Sequence, residues 1–496
     1  MSTPAEAAED IRYRFAPLER RGVLLGLGAA PLATLVGGIV VALAALQFLP
    51  GAAGVGAAVI VVPSAVLAAC WPLAGRPPVE WAPTVVAWLL RRGDRPVLDT
   101  EPTAGAALRA GGPAVGERGV DRARRRPTST SPFGLRLVAA PAVPGEGAIG
   151  VVEDRVARSW AAVIPVRGPA LALLGPEDQA RHLAAWGSLL AGAARGRSGI
   201  RRLQWVEQCG PADPGHLRAA ASDASGPPDA CRSYQQFVAT ESHGLVDHRC
   251  HLVVAVRGGR RMGPRAAATD QAELLRRELR LLRAHLRSGD IGADAALDPA
   301  GLAALLRAAC DPTMPPLDAC AVGAGLAGAW PSAVEERWGA VRVDGSWQAT
   351  YWVAEWPRLA VGPDVLTPLL IGGGPRTVAL TMAPVPAAQA IRQVQSARTA
   401  AIADDALRAR AGFLATAQRE REVDGVRRRE SELADGHADY RYSGYVTVAA
   451  SSLEQLDAAC AETEHAARQS QLVLRRLYGR QAEARSWTLP VARGIS

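Results

Sequence analysis

The sequence predicts an α+β fold: an N-terminal two-helix transmembrane hairpin, followed by cytoplasmic α+β domains with ferredoxin-like elements and a long helix or helical hairpin. Three observations predict it. No charged residue occurs from Gly22 to Gly75. Beyond Phe133 the apolar pattern switches between period two and a period of about 3.6. Pro386 to Asp435 is rich in helix formers and has no internal proline.

Composition bounds the reading. With 496 residues, 49% hydrophobic and 21% charged, the chain has room for roughly two or three domains. Disordered, collagen-like and disulfide-stapled classes are excluded. All 56 basic residues are arginine, because lysine and asparagine are both absent. Their codons are AT-rich, so the composition points to a GC-rich genome. Without lysine, neither a Walker-type phosphate loop nor Schiff-base catalysis operates in its usual form. The seven cysteines (70, 209, 231, 250, 310, 320 and 460) form no C-x-x-C pair, which reads as mostly buried, reduced thiols.

In chain order, residues 1–21 form an N-terminal arm and 22–75 the hairpin. Pro50-Gly51 divides the uncharged stretch into spans of about 22–49 and 52–73, each meeting the ~20 residues a bilayer crossing needs. Arg12, Arg14, Arg20 and Arg21 precede the first span, and Arg76, Arg91, Arg92 and Arg95 follow the second. The connection carries none, so both termini are expected in the cytoplasm. A cleaved signal peptide fits less well, since two long spans follow one another. Residues 76–132 comprise an interfacial segment, Val79 to Leu90 with Trp81 and Trp88, and a linker containing Arg122 to Arg126. That run is either a solvated linker or a contact for anionic lipid.

Residues 133–257 predict a first α+β domain. Gly147 to Val152, Ser159 to Val166 and Ile200 to Glu207 read as strands, and Ala170 to Leu174 is a further short apolar run. Pro176 with Glu177 and Asp178 opens a helix to about Ala194. A short helix near Ser233 and a strand His251 to Arg257 follow. Residues 258–496 predict a second α+β domain with long helices. Asp270 with Glu273 resembles a capping box, and Leu275, Leu279, Leu282 and Leu286 lie on one stripe. Asp344-Gly345 marks a hairpin between Ala340 to Val343 and Ser346 to Ala354. Arg376 to Ala383 and Tyr440 to Ala449 read as strands, and Ser451 or Ser452 caps a helix from Leu453 to Tyr478. A strand plus a long helix, flanked by partner strands, suggests a ferredoxin-like half. No fixed-period repeat is visible.

Chemistry-bearing residues concentrate at His243, Asp247, His248, Cys250 and His251. On a strand, His248 and Cys250 share one face and His251 takes the other, so one metal does not readily gather all three. A strand with ordinary polar residues is the favoured reading, with metal binding or Cys/His catalysis as the alternative. Gly372-Gly373-Gly374-Pro375 reads as a turn before a strand, because no Lys or Ser/Thr follows in phosphate-loop register. No catalytic, cofactor-binding or metal residue is assigned, and a stand-alone enzyme is not expected.

Several segments carry a resemblance. The start Arg14 to Gly22, the hairpin, Trp160 to Arg167 and Arg201-Arg202-Leu203-Gln204-Trp205 resemble an actinobacterial family of integral membrane proteins from conjugation-like loci. Tyr351 to Pro357, Tyr442 to Val448 and Trp487-Thr488-Leu489-Pro490 do so as well. More remotely, the hairpin is similar to PrgI-type small subunits of type IV secretion systems. The region after residue 133 resembles the non-catalytic N-terminal portion of VirB/TrbE-type transfer ATPases. The resemblance implies an inner-membrane docking component, oligomeric within an assembly, with the bilayer, a separate hexameric transfer ATPase and other secretion-machine subunits as partners. It carries over no ATPase activity. A two-span accessory subunit of a type VII secretion complex and a membrane-bound Cys/His enzyme are the alternatives. A charge of +8 over this length gives no reason to expect direct nucleic-acid binding.

Overall fold

The computed structural model describes residues 15, 29–71, 77–91, 134–140, 142–143, 146–168, 173–194, 198–212, 221–222, 226–241, 246–257, 264–313, 326–372, 374–410 and 417–495. The linker with Arg122 to Arg126, most of the N-terminal arm and most of 170–174 lie outside the described residues. The chain forms two compact units: Pro17–Pro96 with Leu477–Arg480, and the remainder.

In the smaller unit, α1 (Ala29–Phe48) and α2 (Ala52–Cys70) are the expected apolar pair. Both are long and apolar enough to cross a bilayer, and most of their side chains are exposed. Gly51 turns the chain between them at φ 52°, a conformation that favours glycine. Their packing is close: a Cβ on Gly38 would stand 2.4 Å from Ala65 Cβ. The hydroxyls of Thr34 and Ser64 donate to the carbonyls of Ala30 and Ile60, so these two hydroxyls need no outside partner. The stretch expected to lie at the interface forms a helix, α3 (Pro78–Arg91).

The larger unit contains one antiparallel sheet of twelve strands among the described residues. These are β1 (Leu135–Ala140), β2 (Ile149–Asp154), β3 (Ser159–Arg167), β4 (Ile200–Pro211), β5 (Val246–Arg257), β6 (Gly292–Ala293), β7 (Val334–Glu336), β8 (Val341–Val343), β9 (Ser346–Glu355), β10 (Arg376–Pro384), β11 (Tyr440–Ala450) and β12 (Val473–Arg476). Their order is β1-β2-β3-β5-β4-β10-β11-β9-β8-β7, with β6 beside β3 and β12 beside β9.

This order contains one connectivity twice. In the first half, β3 and β4 both run antiparallel to β5, which lies between them, and β6 flanks β3. In the second, β9 and β10 sandwich β11 in the same way, and β12 flanks β9. Each half adds a ladder on its outer side: β2 and β1 beyond β3, β8 and β7 beyond β9. The crossovers also correspond. α4 (Pro176–Ala194) joins β3 to β4 and α6 (Pro264–Ser288) joins β5 to β6, as α8 (Thr367–Ile371) and α11 (Leu453–Gln469) do in the second half. The halves meet where β4 pairs with β10, Cys209 opposite Arg376 and Leu203 opposite Met382. The sheet is therefore continuous across the boundary expected at residue 257.

Between the second and third strands of each half stand extra helices: α5 (Pro228–Glu241) in the first, α9 (Ala387–Arg410) and α10 (Ala417–Ala434) in the second. The stretch expected as a long helix or helical hairpin is thus two helices. Arg398 on α9 holds Glu430 on α10 through both carboxylate oxygens, at 2.8 and 2.9 Å.

One face of the sheet packs Leu203, Leu252, Val254, Ala162 and Ile164 against Leu275, Leu279, Leu282 and Leu286 of α6. Each of those buried leucines contributes roughly 1.5–3 kcal/mol. On the same face of the second half, Leu369 of α8 and Leu456 and Cys460 of α11 cover Tyr351, Val353, Val446 and Val448. The opposite face carries Val206, Val253 and Ala379 beneath Leu302 and Leu306 of α7 (Pro299–Cys310) and the terminal Leu489 and Val491.

Two expectations are corrected. The helix beginning at Leu453, capped by Ser452 on the Gln455 amide, ends at Gln469 rather than Tyr478. Gln471 turns left-handed at φ 55°, and Val473–Arg476 leaves as β12 to pair with β9. The Asp270/Glu273 pair lies inside α6, which starts at Pro264, so it caps nothing.

Candidate functional site

His243 lies outside the described residues. The other four members of its cluster are on β5, in the two sets that alternation requires. Cys250 pairs in register with Glu207 of β4, and His248 with Cys209. Cys209 in turn faces Arg376 of β10. One face therefore gathers Glu207, Cys209, His248, Cys250 and Arg376, while Asp247, Arg249 and His251 take the other.

The central contact of the first group is His248 Nδ1 to Glu207 Oε1, 2.7 Å, with Glu207 almost wholly buried. Burial raises the Glu207 pKa, against the lowering effect of the His248 hydrogen bond. Burial, reinforced by Glu207, pushes the Cys250 thiol up to about 11, and burial also raises Cys209. Both thiols are protonated at neutral pH, whereas a nucleophilic cysteine needs its pKa depressed. Cys209 spends its weak donor on the Gly374 carbonyl at 3.6 Å. On the opposite face, burial first and then Arg249 bring His251 down to about 4, leaving it neutral. Among the described residues no group of three or more His, Cys, Asp or Glu side chains is placed to hold a metal.

Arg376 explains the glycine run before β10. Its guanidinium donates to the Leu370 carbonyl at 2.7 Å and to that of Gly372. The loop thus presents carbonyls around a cation, the reverse of a phosphate loop, which presents N–H groups around an anion. Sequence spacing gave no hint of Glu207 or Arg376, because both reach the cluster only through strand pairing.

A second constellation lies on the other face, along the seam between β4 and β10. Gln204 of β4 and Thr381 of β10 are in register. They hold the chain's C-terminal segment as it crosses the sheet. Gln204 Oε1 accepts the Val491 and Ala492 amides at 3.1 and 2.7 Å, and its Nε2 donates to the Trp487 carbonyl at 2.9 Å. Thr381 donates to the Arg493 carbonyl at 2.7 Å, and the Tyr445 hydroxyl donates to that of Gly494. Arg202 donates to the Ile495 carbonyl at 2.6 Å, and Arg493 reaches Asp154 of β2 at 2.6 Å. Tyr445 and Trp487 pack ring to ring, 5.0 Å apart. The strap therefore ties β2, β4, β10 and β11 together.

The segments singled out by resemblance converge on these packing contacts. Trp352 donates to Ser443 Oγ at 3.1 Å, Tyr351 to Glu464 at 2.9 Å, and Trp356 packs edge-on against Tyr442 with Phe15 stacked on it. Gly444 lies beneath Trp356, where a Cβ would stand 2.8 Å from the indole. The described residues among them are joined by packing and hydrogen bonds within the sheet. No protein-family model matches the chain, and no curated protein sequence matches it.

Proposed function

We propose that this chain is a membrane-anchored docking component of a type IV secretion or conjugation-like transfer apparatus, scaffolding a separate hexameric ATPase. In this reading α1 and α2 cross the inner membrane, α3 lies along the headgroups, both termini are cytoplasmic, and the sheet is an inert platform oligomeric within the assembly. Each half, with strand order β6-β3-β5-β4 or β12-β9-β11-β10, is read as ferredoxin-like. An anchor of this kind confines a partner to the bilayer and raises its effective concentration there.

The observation that carries the reading is the α9–α10 pair. Helices of 24 and 18 residues are inserted between paired strands. On α9, Ile391 and Ile402 are exposed, whereas Ala390 and Val394 at its base are buried. Such a charged, thinly packed projection adds little to the core, which suits it to contact another protein.

The test follows from the register. Pro384 pairs with Tyr440, and the Val385 amide donates to the Asp439 carbonyl at 2.9 Å. Residues 387–437 are therefore replaceable by a short Gly-rich turn without breaking the ladder, whereas removing 386–496 would also remove β11, a strand paired on both sides. The excised protein is expected to remain folded in membranes and to lose co-purification with its cognate ATPase. Undiminished co-purification would sink the reading.

A further inference from the structure

Phe15 belongs to the larger unit, two residues before the chain enters the smaller one at Pro17. Its ring stacks on the indole of Trp356, centroids 4.9 Å apart and planes inclined by 25°, and stands 6.5 Å from the ring of Tyr442. Trp356 and Tyr442 meet edge-on at 5.5 Å, so the pair makes two walls and Phe15 fills the angle between them. The strands build that seat. Trp356 directly follows β9, Tyr442 lies on β11, and Gly444, two residues further along the same face, leaves the space into which the indole settles. The walls come from different cores: Tyr442 packs against the leucine-rich cluster beneath α6, and Trp356 against the cluster beneath α8 and α11. Phe15 is half-buried where the two meet.

We propose that Phe15 is a clasp, by which the N-terminal arm fastens itself to the sheet face before the chain enters the hairpin. How firmly it holds follows from what one ring can supply. A stacked aromatic pair adds a modest amount to the area it buries, and this ring is only half-buried, so the closed state is favoured by about tenfold. A clasp of that strength is releasable. Drawing the arm away uncovers Trp356 and Tyr442, an apolar pair carrying one N–H and one O–H, which is the kind of surface that protein interfaces favour. The occupant in the resting chain is its own arm, and the arm therefore guards that surface. Where α1 and α2 are read as crossing the membrane, the clasp also requires the arm and the sheet to share one side of it, which two crossings satisfy. The clasp itself stands on the larger unit alone.

Trypsin reads the clasp directly, because it cuts after arginine and Arg14 immediately precedes Phe15. The full chain in detergent micelles is digested briefly, and products ending at Arg14 are followed by mass. Cleavage tracks the population of the open arm when opening is fast relative to cutting. The Arg14–Phe15 bond is expected to be cut about tenfold faster in Tyr442→Ala and in Trp356→Ala, which leave the bond itself unchanged and remove one wall each. Equal rates in the unaltered chain and both variants overturn the proposal. If the wall variants do not fold, benzoylphenylalanine in place of Phe15 decides with both walls intact: photo-crosslinking within the chain to Trp356, Tyr442 or Gly444 supports the clasp, and labelling confined elsewhere overturns it. Either failure leaves the α9–α10 reading as it was, since that one is judged by co-purification.

Discussion

Among the described residues, a helix of 14 residues, α5, preceded by helical residues 221–222, separates the second strand from the third in the first half of the sheet; in the second half two helices of 24 and 18 residues do so. The crossover before them varies the other way, with 19 residues in α4 against five in α8. The strands themselves keep one order and one set of pairings. Surface connections tolerate such change because their backbone polar groups face water, whereas strands buried on both faces are held by their neighbours. The shared part of the two halves is the part that carries the core, and the unshared part is where they are free to acquire separate contacts.

The seam is where this comparison breaks most easily. Replacing Gln204 by leucine removes the donor to the Trp487 carbonyl and the acceptor of the Ala492 amide, while the Val491 amide keeps the Leu489 carbonyl at 2.7 Å. Each lost partner costs ~1–3 kcal/mol, so a loss of about 2 kcal/mol or more is expected from denaturant unfolding of the full chain. Leucine at Gln208, on the same face of β4, strands no described partner and should cost far less. Equal losses at the two positions would show that the strap contributes nothing special to joining the halves.

A smaller effect separates the strap's grip on the first half from its grip on the second. Asp154 belongs to β2 of the first half and holds Arg493. Burial alone would raise its pKa, but the Arg493 hydrogen bond and the Ala157 and Val156 amides outweigh it, and the net shift is downward. A depressed folded-state pKa means the stabilisation is whole above the unfolded value, about pH 4, and is lost as pH falls through the lowered one. Unfolding experiments between pH 6 and pH 2 (roughly the span in which aspartate titrates) should therefore show Asp154→Asn less stable at the upper end, by roughly the 1.5–3 kcal/mol of a hydrogen bond to a charged group. The gap should close at the lower end. A gap constant with pH would remove Asp154 from the account.

How much of this was legible in the sequence depends on distance along the chain. The uncharged spans, the Ser452 cap, the leucine stripe of α6 and the Asp344-Gly345 turn, with Asp344 at φ 50°, are written within a few residues of themselves. β12 was not, because four residues following a helix without proline or glycine continue its pattern until β9 claims them. The doubled connectivity was hidden too. Insertions of unequal length erase any fixed period, and the halves share pairings rather than residues. In the candidate site, the alternation of His248 and Cys250 against His251 follows from strand geometry alone, while the Glu207 contact joins positions 41 residues apart. The Gln204–Thr381 pair is invisible until β4 and β10, more than 160 residues apart, are laid side by side.

The smallest expected effect tests whether the insertions are as independent of the core as the comparison implies. On α5, Tyr234 and Phe237 are 47% and 58% exposed, while Val238 on the adjoining face is buried. Serine at either aromatic position removes only a partly covered ring, so each should cost about 1 kcal/mol or less. Val238→Ser, one residue away, places a hydroxyl in an apolar contact and removes methyl groups, so it should destabilise by about 1–3 kcal/mol. Melting curves of the three variants should thus separate the last from the first two. If Tyr234→Ser or Phe237→Ser proves as damaging as Val238→Ser, α5 is fastened to the first half on both faces and cannot be the counterpart of a free-standing α9–α10 pair.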